Sequence, residues 1–192
     1  MSGVRPSKGR RVPHFNCDFD DGSMLQRGVY IGLGANLPSP EHGTPRETLA
    51  AAMRALEASG LAMVARSPLY ESEPVPVSDQ RWFLNAVIEV ATDLAAPEVL
   101  AILHSVENAF GRVRGLRNEA RVLDLDLLDH RGAVRAGPES PVLPHPRLTD
   151  RAFVLLPLRD IAPDWRHPVS DVTIAELLES LPQGQRIRRL GP

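Results

Sequence analysis

The segment 121–130, RVLDLDLLDH, alternates leucine with a second residue type, and this alternation constrains the fold more than any other part of the chain. Side chains of a strand point alternately to its two faces, so the leucines of LDLDL share one face. Asp124 and Asp126 share the other face, with their Cα atoms ~7 Å apart. The segment therefore predicts a strand with one face in a core and two carboxylates on the opposite face.

Aspartate is depleted in strands, so a pair of aspartates on one strand needs a reason. At this separation the carboxylates repel each other unless water solvates them or a cation lies between them. Two interpretations stay open on the pair alone: an acidic face in solvent, or a binding site for a divalent cation. Mg²⁺ needs only one or two carboxylates when water and phosphate oxygens complete its shell, and Asp124 with Asp126 would meet that need.

Length and charge limit the classes of protein that remain. The chain has 192 residues, enough for one domain with a core, which we expect over residues 28–192. Residues 1–27 mix charges, Pro, Gly and Ser without periodicity and predict a disordered leader. The formal net charge of −2 indicates neither a nucleic-acid nor a membrane partner.

Cysteine content and hydrophobicity indicate the compartment. Cys17 is the only cysteine, which excludes an intramolecular disulfide and suits the cytoplasm. The sequence contains no apolar run long enough for a membrane helix or a signal peptide. No exposed apolar stripe is evident either, so we expect a cytoplasmic monomer.

Local signals predict the element order strand, helix, strand, strand, helix, strand. VYIGL at 29–33 predicts the first strand, and a capping box of Thr44 and Glu47 starts the first helix. The segments LAMVARSPLYESEPV and WFLNAVIEVATDL predict the next two strands. A second helix is expected from Pro97 to Gly111, and LDLDLL forms the last strand of this core.

Two further helices are predicted after this core. RAFVLLPLRDI predicts a helix that Pro157 kinks or ends, and a capping box of Thr173 and Glu176 starts a final short helix. The whole order is typical of an α+β fold with a ferredoxin-like β-α-β-β-α-β core, a mostly antiparallel sheet with helices on one face, and extra C-terminal helices. Because such folds carry many functions, the function must be inferred from the site residues.

A basic segment, GRVRGLRNEAR, leads directly into the aspartate strand. Its arginines provide positive charge and bidentate donors beside the possible cation site; they are Arg112, Arg114, Arg117 and Arg121. This combination suits a nucleoside triphosphate, and the alternative is a loop that only compensates the two acids. Lys8 is the only lysine, so an arginine cluster carries less weight here than it would in a lysine-rich chain.

A few other residues bear on function. His145 lies in the Pro-flanked loop LPHPRLTDR and is a candidate functional side chain. His104 and Glu107 lie one turn apart on the second helix, where the residues alone favour side chains that are hydrogen-bonded or solvated at the helix edge.

Three functional classes find no support in the sequence. YIGLGAN lacks the third glycine of a dinucleotide-binding motif. No serine lies in a nucleophile elbow, and no Lys/Arg-Gly-aromatic motif indicates RNA recognition.

Several motifs together resemble one family over residues 29–181, the 6-hydroxymethyl-7,8-dihydropterin pyrophosphokinases of folate biosynthesis. The motifs are YIGLGANL, LYESEPV followed by DQRWFLNAVIEV, ENAFGRVR, LDLDLL and LPHPRLTDRAFVLLPL. The resemblance implies a ferredoxin-like fold and Mg²⁺-dependent transfer of pyrophosphate from ATP to the hydroxymethyl oxygen of the pterin, with release of AMP. It also implies that the partners are small molecules.

By motif match, the resemblance assigns a role to each candidate residue. Asp124 and Asp126 would hold two Mg²⁺ ions. The expected ATP-binding residues, of which Arg114 and Arg121 would act in catalysis, are Glu107, Arg114, Arg121, His145 and Arg151. Asn85 would hydrogen-bond the pterin edge between two aromatic rings, and the expected substrate-binding residues are Ser72, Val75, Phe83, Asn85 and Phe153.

The chain also departs from the family pattern. Many members carry Trp-Gly-Pro-Arg where this chain has Asn118-Glu119-Ala120-Arg121. Ser72 replaces a usual Thr and Phe83 a usual Tyr. A rival hypothesis is therefore a scaffold of the same fold that binds nucleotide or pterin without turnover, and the intact aspartate pair argues against it.

Overall fold

The computed structural model describes residues 28–111, 121–137 and 140–191. The predicted leader and the first three arginines of the basic segment lie outside these ranges. The elements in chain order are β1 (Val29–Ala35), α1 (Pro45–Ala58), β2 (Ala62–Arg66), β3 (Tyr70–Ser72), β4 (Phe83–Ala91), α2 (Ala96–Ala109), β5 (Asp124–His130), α3 (Ala152–Ile161), α4 (Ile174–Glu179) and β6 (Ile187–Arg189).

The strands form one sheet with the order β5-β1-β4-β3-β6, and β2 also pairs with β4. Each of these pairings is antiparallel, which agrees with the prediction of a mostly antiparallel sheet. None of the helices in the described ranges has both the length and the hydrophobicity needed to cross a membrane.

Two hydrophobic clusters lie on the two faces of the sheet. Ile31 and Ile88 belong to the cluster that α1 and α2 cover, which we call the α1 face. Tyr30, Val87 and Leu128 belong to the cluster with α3 and α4, which we call the α3 face. The two helices of the predicted core, α1 and α2, lie on one face as expected, whereas the extra C-terminal helices, for which no face was predicted, lie on the other. The reason is that the second face carries apolar residues of its own, which α3 and α4 remove from water.

The predicted capping boxes set the starts of two helices. Thr44 Oγ1 accepts a hydrogen bond from the Glu47 backbone N–H at 3.4 Å, and the Glu47 carboxylate accepts one from the Thr44 N–H at 2.7 Å. Thr173 and Glu176 repeat this arrangement before α4, with distances of 3.2 and 2.8 Å. Both predictions are confirmed, because the motif is encoded within four neighbouring residues.

Three local features differ from the sequence prediction. The strand expected in LAMVARSPLYESEPV is divided into β2 and β3, with Pro68, which lacks a backbone N–H, between them. The helix predicted at RAFVLLPLRDI forms as α3, and Pro157 lies inside it and does not end it, so of the two predicted effects the kink alone stays a prediction. Strand β6 was not predicted, because its sequence, Ile187–Arg189, is short and arginine-rich and forms a strand only by pairing with β3.

A β-bulge explains why the alternation of leucine and aspartate in LDLDLLDH ends at Leu127 and Leu128. Ile31 pairs with Leu127, whereas Tyr30 pairs with Asp129, so Leu128 is an extra residue in β5. Leu128 is buried on the α3 face, and the Asp129 carboxylate accepts a hydrogen bond from Trp165, which belongs to the cluster on that face.

The Asp129 carboxylate anchors the C-terminal part of the chain to the sheet. Only 1% of Asp129 is exposed, and its Oδ2 accepts a hydrogen bond from Trp165 Nε1 at 2.8 Å. The Gly132 backbone N–H donates to Oδ1, also at 2.8 Å. A buried carboxylate is stable only with such donors, so Asp129 and Trp165 fix the connection between α3 and α4 against β5.

We expect the substitution Trp165→Phe to lower the free energy of unfolding by about 1–3 kcal/mol, because it removes an N–H donor from a buried carboxylate. Urea denaturation of both proteins measures this difference. Val169→Ala, at an exposed position of the same connection, is the control and should stay within about 0.5 kcal/mol of the parent protein. Equal stability of Trp165→Phe and the parent protein would contradict the anchoring role.

Candidate active site

Three neighbouring strands form the floor of a pocket on the α3 face. Gly34 of β1 pairs with Asn85 of β4 on one side and with Asp124 of β5 on the other. Gly32 pairs with Asp126 of β5. A Cβ atom at Gly34 would lie 3.5 Å from Asn85 Oδ1, so the glycine leaves the amide and the carboxylates open to the pocket.

The walls of the pocket come from the loop after β3 and from the beginning of α3. Glu73, Pro74, Val75 and Pro76 form one wall, and the residues around Phe153 form the other. The predicted site residues that line the pocket are Ser72, Val75, Phe83, Asn85, Arg121, Asp124, Asp126, Arg151 and Phe153. Side chains from the strands β3, β4 and β5, from α3 and from three connecting segments therefore meet in a single cleft.

Each aspartate of the pair lies next to a cationic side chain. Arg121 Nη1 forms an ion pair with Asp124 Oδ1. Arg151 Nη1 lies 3.4 Å from Asp126 Oδ2, and His145 Nε2 lies 3.9 Å from Asp126 Oδ1. Burial lowers the pKa of Arg151, and the two aspartates oppose this effect. The site thus places two carboxylates and two guanidinium groups within a few ångströms, as polyphosphate binding with a cation requires.

His145 is held in one orientation by its own loop. Its backbone N–H donates to the Leu128 carbonyl at 2.8 Å, which ties the loop to β5. The Arg147 backbone N–H donates to His145 Nδ1 at 3.2 Å, so the hydrogen of the neutral ring is on Nε2, the nitrogen that faces Asp126. Burial lowers the pKa of His145 more than Asp126 raises it. The ring is therefore a neutral hydrogen-bond donor at neutral pH.

The amide of Asn85 is buried and oriented at the floor of the pocket. Its Nδ2 donates to Ser72 Oγ at 2.9 Å and to the Phe83 carbonyl at 3.3 Å. Asn85 and Ser72 are each 4% exposed. An amide held by two bonds loses little entropy on binding a ligand, which suits recognition of a polar ring edge.

Two phenylalanines give the pocket its aromatic surface. Phe83 enters from β4, and Phe153 enters from α3. The Arg151 guanidinium lies over the Phe153 ring, 5.3 Å from its centre, so the aromatic and the charged parts of the site are in contact. One end of the pocket is thus suited to a flat ring and the other to charged groups.

The donor set of the pocket fits a hard divalent cation that is bound together with phosphate. Among the described residues, no group of three or more His, Cys, Asp or Glu side chains could hold a metal ion without other ligands. Asp124 and Asp126 supply carboxylate oxygens, which Mg²⁺ prefers, but too few to complete its shell. Water and a bound phosphate would supply the rest.

Two described residues of the predicted ATP-binding set, Glu107 and His145, are not part of the pocket lining, although His145 lies close to Asp126. Glu107 is 1% exposed in α2, and its Oε1 accepts a hydrogen bond from the Leu125 backbone N–H at 2.8 Å. From the α1 face, Glu107 therefore holds the backbone of β5 at the residue between Asp124 and Asp126. Its predicted contact with ATP stays a prediction. Arg114 lies outside the described residues, so its role also stays a prediction.

Comparison with known proteins identifies the family to which this chain belongs. Residues 30–163 match the family described as 7,8-dihydro-6-hydroxymethylpterin-pyrophosphokinase (HPPK). A 2-amino-4-hydroxy-6-hydroxymethyldihydropteridine pyrophosphokinase of Methylorubrum extorquens is 41% identical over 80% of this chain and 92% of its own length. The protein of the same name from Pseudomonas aeruginosa is 42% identical over 83% of this chain and 94% of its own length.

Two longer proteins also contain a region similar to this chain. The folic acid synthesis protein fol1 of Pneumocystis carinii is 36% identical over 84% of this chain, which spans only 21% of that protein. A crystal structure of an HPPK-DHPS protein in complex with substrates has a TM-score of 0.61 at 15% identity, over 79% of this chain and 43% of that protein. The structural likeness supports the fold alone.

The fold and the pocket define a small-molecule binding site that combines a carboxylate pair, arginines, an amide and aromatic rings. With the matches above, the chain belongs to the 7,8-dihydro-6-hydroxymethylpterin-pyrophosphokinase family. The family predicted from the sequence motifs is thereby confirmed.

Sequence reasoning missed some residues of the site. Gly32 and Gly34 were considered only as part of a dinucleotide-binding motif, yet they form the open floor of the pocket. The signal was available, because two glycines spaced by two in one strand leave one face without side chains. Arg147, from the motif LPHPRLTDR, also lines the pocket, although no role was predicted for it.

Asn36, at the end of β1, was also missed and connects two segments beside the pocket. Its Oδ1 accepts the Arg121 backbone N–H at 2.8 Å, and its Nδ2 donates to the Arg81 carbonyl at 3.1 Å. The backbone N–H groups of Asn36 and Leu37 both donate to the Arg121 carbonyl. Because Asn36 is 1% exposed, it fixes the chain before β4 and the chain before β5 relative to each other.

We expect Asn36→Ala to lower the free energy of unfolding by about 1–3 kcal/mol, because it removes two partly buried hydrogen bonds, to Arg121 and Arg81, each worth about 0.5–1.5 kcal/mol. The Arg121 amide should also exchange hydrogen faster, since it loses its acceptor. Urea denaturation and hydrogen exchange measure the two effects. Asn108→Ala, at an exposed position of α2, is the control. Parent-like stability and exchange in Asn36→Ala would show that this connection is dispensable.

Proposed function

We propose that this protein transfers pyrophosphate from ATP to 6-hydroxymethyl-7,8-dihydropterin, giving AMP and the pterin diphosphate, in Mg²⁺-dependent folate biosynthesis. The observation that carries this proposal is the single pocket in which a carboxylate pair and two arginines adjoin an amide and two phenylalanines. Membership of the family supports the same reaction. This chain covers more than nine tenths of the length of the Methylorubrum extorquens and Pseudomonas aeruginosa relatives, which carry the enzyme name.

The fold that accompanies this function is, we propose, ferredoxin-like. The strand order β5-β1-β4-β3, together with two crossover helices on the α1 face, supports this assignment. We also retain as proposals one domain over residues 28–192, a monomer, a location in the cytoplasm, and small molecules as the only partners.

The charged end of the pocket would hold the polyphosphate. Asp124 and Asp126 would hold two Mg²⁺ ions, which when bound offset the negative charge of the phosphates. Arg121 and Arg151 would donate hydrogen bonds to phosphate oxygens, and His145 would donate one from Nε2. By family resemblance, Arg114 and Glu107 would complete the ATP-binding set.

The apolar end of the pocket would hold the pterin. Phe83 and Phe153 would lie against the two faces of the bicyclic ring, and the Asn85 amide would hydrogen-bond its polar edge. Ser72 and Val75 would line the same cavity. This arrangement would direct the hydroxymethyl oxygen toward the charged end. There the oxygen would lose its proton to solvent and attack the β-phosphorus of ATP, and the bond from that phosphorus to AMP would break.

Catalysis would then come from positioning and from charge neutralisation. Two substrates held in one cleft react as if at a high effective concentration. Arginine side chains that are already oriented stabilise the charge that develops on the phosphate without reorganising. Arg121 is a strong candidate for this role, because its backbone is fixed through Asn36 and its side chain lies at Asp124.

An assay for AMP release tests the proposed function. The purified protein should release AMP from ATP only when both the pterin and Mg²⁺ are present. Reactions without pterin, and reactions with excess chelator, are the controls. Binding of ATP or pterin without AMP release would instead favour the rival hypothesis of a scaffold that has lost turnover.

We expect Asp124→Ala and Asp126→Ala each to lower turnover by orders of magnitude while the protein stays folded. Turnover falls because a cation ligand is lost, and the fold survives because one of two repelling carboxylates is removed from a partly exposed site. Steady-state kinetics and circular dichroism measure the two effects. Asp93→Ala, at an exposed position, is the control. An unfolded Asp124 or Asp126 variant would instead indicate a structural role for the pair.

A further inference from the structure

The C-terminal tail, residues 181–191, lies beyond the segment that matches the family and reaches back to the pocket. Its strand β6 pairs antiparallel with β3, the strand that ends at Ser72 in the pocket wall. The tail therefore touches the site although its own sequence carries none of the family motifs.

The side chain of Gln185 fixes the wall that carries Phe153. Its Oε1 accepts a hydrogen bond from the Ala152 backbone N–H at 2.9 Å, and its Nε2 donates to the Asp150 carbonyl at 2.9 Å. These two groups flank Arg151. Ala152 is the first residue of α3, where a backbone N–H has no partner within the helix, and the Arg151 side chain does not cap it. Gln185 supplies the missing acceptor.

The next residue, Arg186, holds the opposite wall. Its carbonyl accepts a hydrogen bond from the Glu73 backbone N–H at 3.0 Å, and its Nε donates to Glu73 Oε2 at 2.8 Å. Glu73 lines the pocket directly after Ser72. Two consecutive tail residues thus bind the two walls that face each other across the proposed pterin site.

Packing alone does not fix these walls. A second cavity of about 400 Å³ lies between them and the tail, and it is lined by Ser72, Phe153, Gln185 and Arg186, among others. Val154 and Leu155 anchor the body of α3 in the cluster on the α3 face. Because side chains do not fill the space beside the tail, the hydrogen bonds of the tail add to the positioning of the residues just before that anchor.

We propose that Gln185 is a positioning residue that sets the spacing of the pterin site without touching the substrate. This inference rests on the proposed function. The amide side chain of Gln185 supplies both the acceptor for the Ala152 N–H and the donor for the Asp150 carbonyl. Loss of both bonds loosens the segment around Arg151 and lets the Phe153 wall move away from the ring, whereas Asp124 and Asp126, held on β5, keep their positions.

The test compares Gln185→Ala and Gln185→Glu with the parent protein, and Gln183→Ala, at an exposed position of the same tail, is the matched control. We expect Gln185→Ala to raise the KM for the pterin by about fivefold to tenfold, because the Phe153 wall moves, and to raise the KM for ATP as well, because Arg151 lies between the two released groups. Gln185→Glu keeps the acceptor for Ala152 and should fall between Gln185→Ala and the parent protein. Gln183→Ala should match the parent protein.

The outcomes separate this inference from the proposed function. A parent protein that neither binds pterin nor releases AMP overturns both. An active parent protein with an unchanged pterin KM in Gln185→Ala overturns only the role of Gln185, and so does a fall in Tm without a change in that KM. If Gln185→Ala does not fold, the pterin KM of Gln185→Glu decides: a rise supports the proposal, and a parent-like value overturns it.

Discussion

The position of every other part of the site depends on the pairing of β1 between β4 and β5. This pairing places Asn85, Gly34 and Asp124 side by side, so an amide and a carboxylate from distant parts of the chain face the same cleft. A shift of one residue in either register would turn these side chains toward α1 and α2. The apolar residues on the α1 face prevent that shift, because it would expose them. The hydrophobic core thus determines the geometry of the polar site.

Local sequence signals predicted the elements well, and contacts between distant residues limited the prediction. The alternation around Asp124 and the capping box at Thr44 are encoded within a few residues, and both are correct. The bonds from Gln185 to Ala152, from Trp165 to Asp129 and from Asn36 to Arg121 join residues 33, 36 and 85 positions apart. No local pattern encodes such contacts, so strand β6 and the covering of the second face were missed.

The candidate site was predictable in its chemistry and less so in its arrangement. Family resemblance named side chains that line the pocket, including Asn85 and Phe153, because their motifs are specific. It did not indicate that the Glu107 carboxylate accepts the N–H of Leu125 beneath β5. It also gave no role to the two glycines of the floor, whose contribution is the absence of side chains. Residue type suggests which chemistry is available, and only the fold indicates which groups meet.

The ion pairs at the aspartates have a thermodynamic consequence. Arg121 already neutralises Asp124, and Arg151 lies close to Asp126, so a metal ion that binds these carboxylates competes with a guanidinium group. A guanidinium released in this way gains stability from a new anion, and a nucleotide provides one. If the site binds both as we propose, each ligand raises the affinity for the other. Occupancy would then rise steeply only when metal and nucleotide are present together.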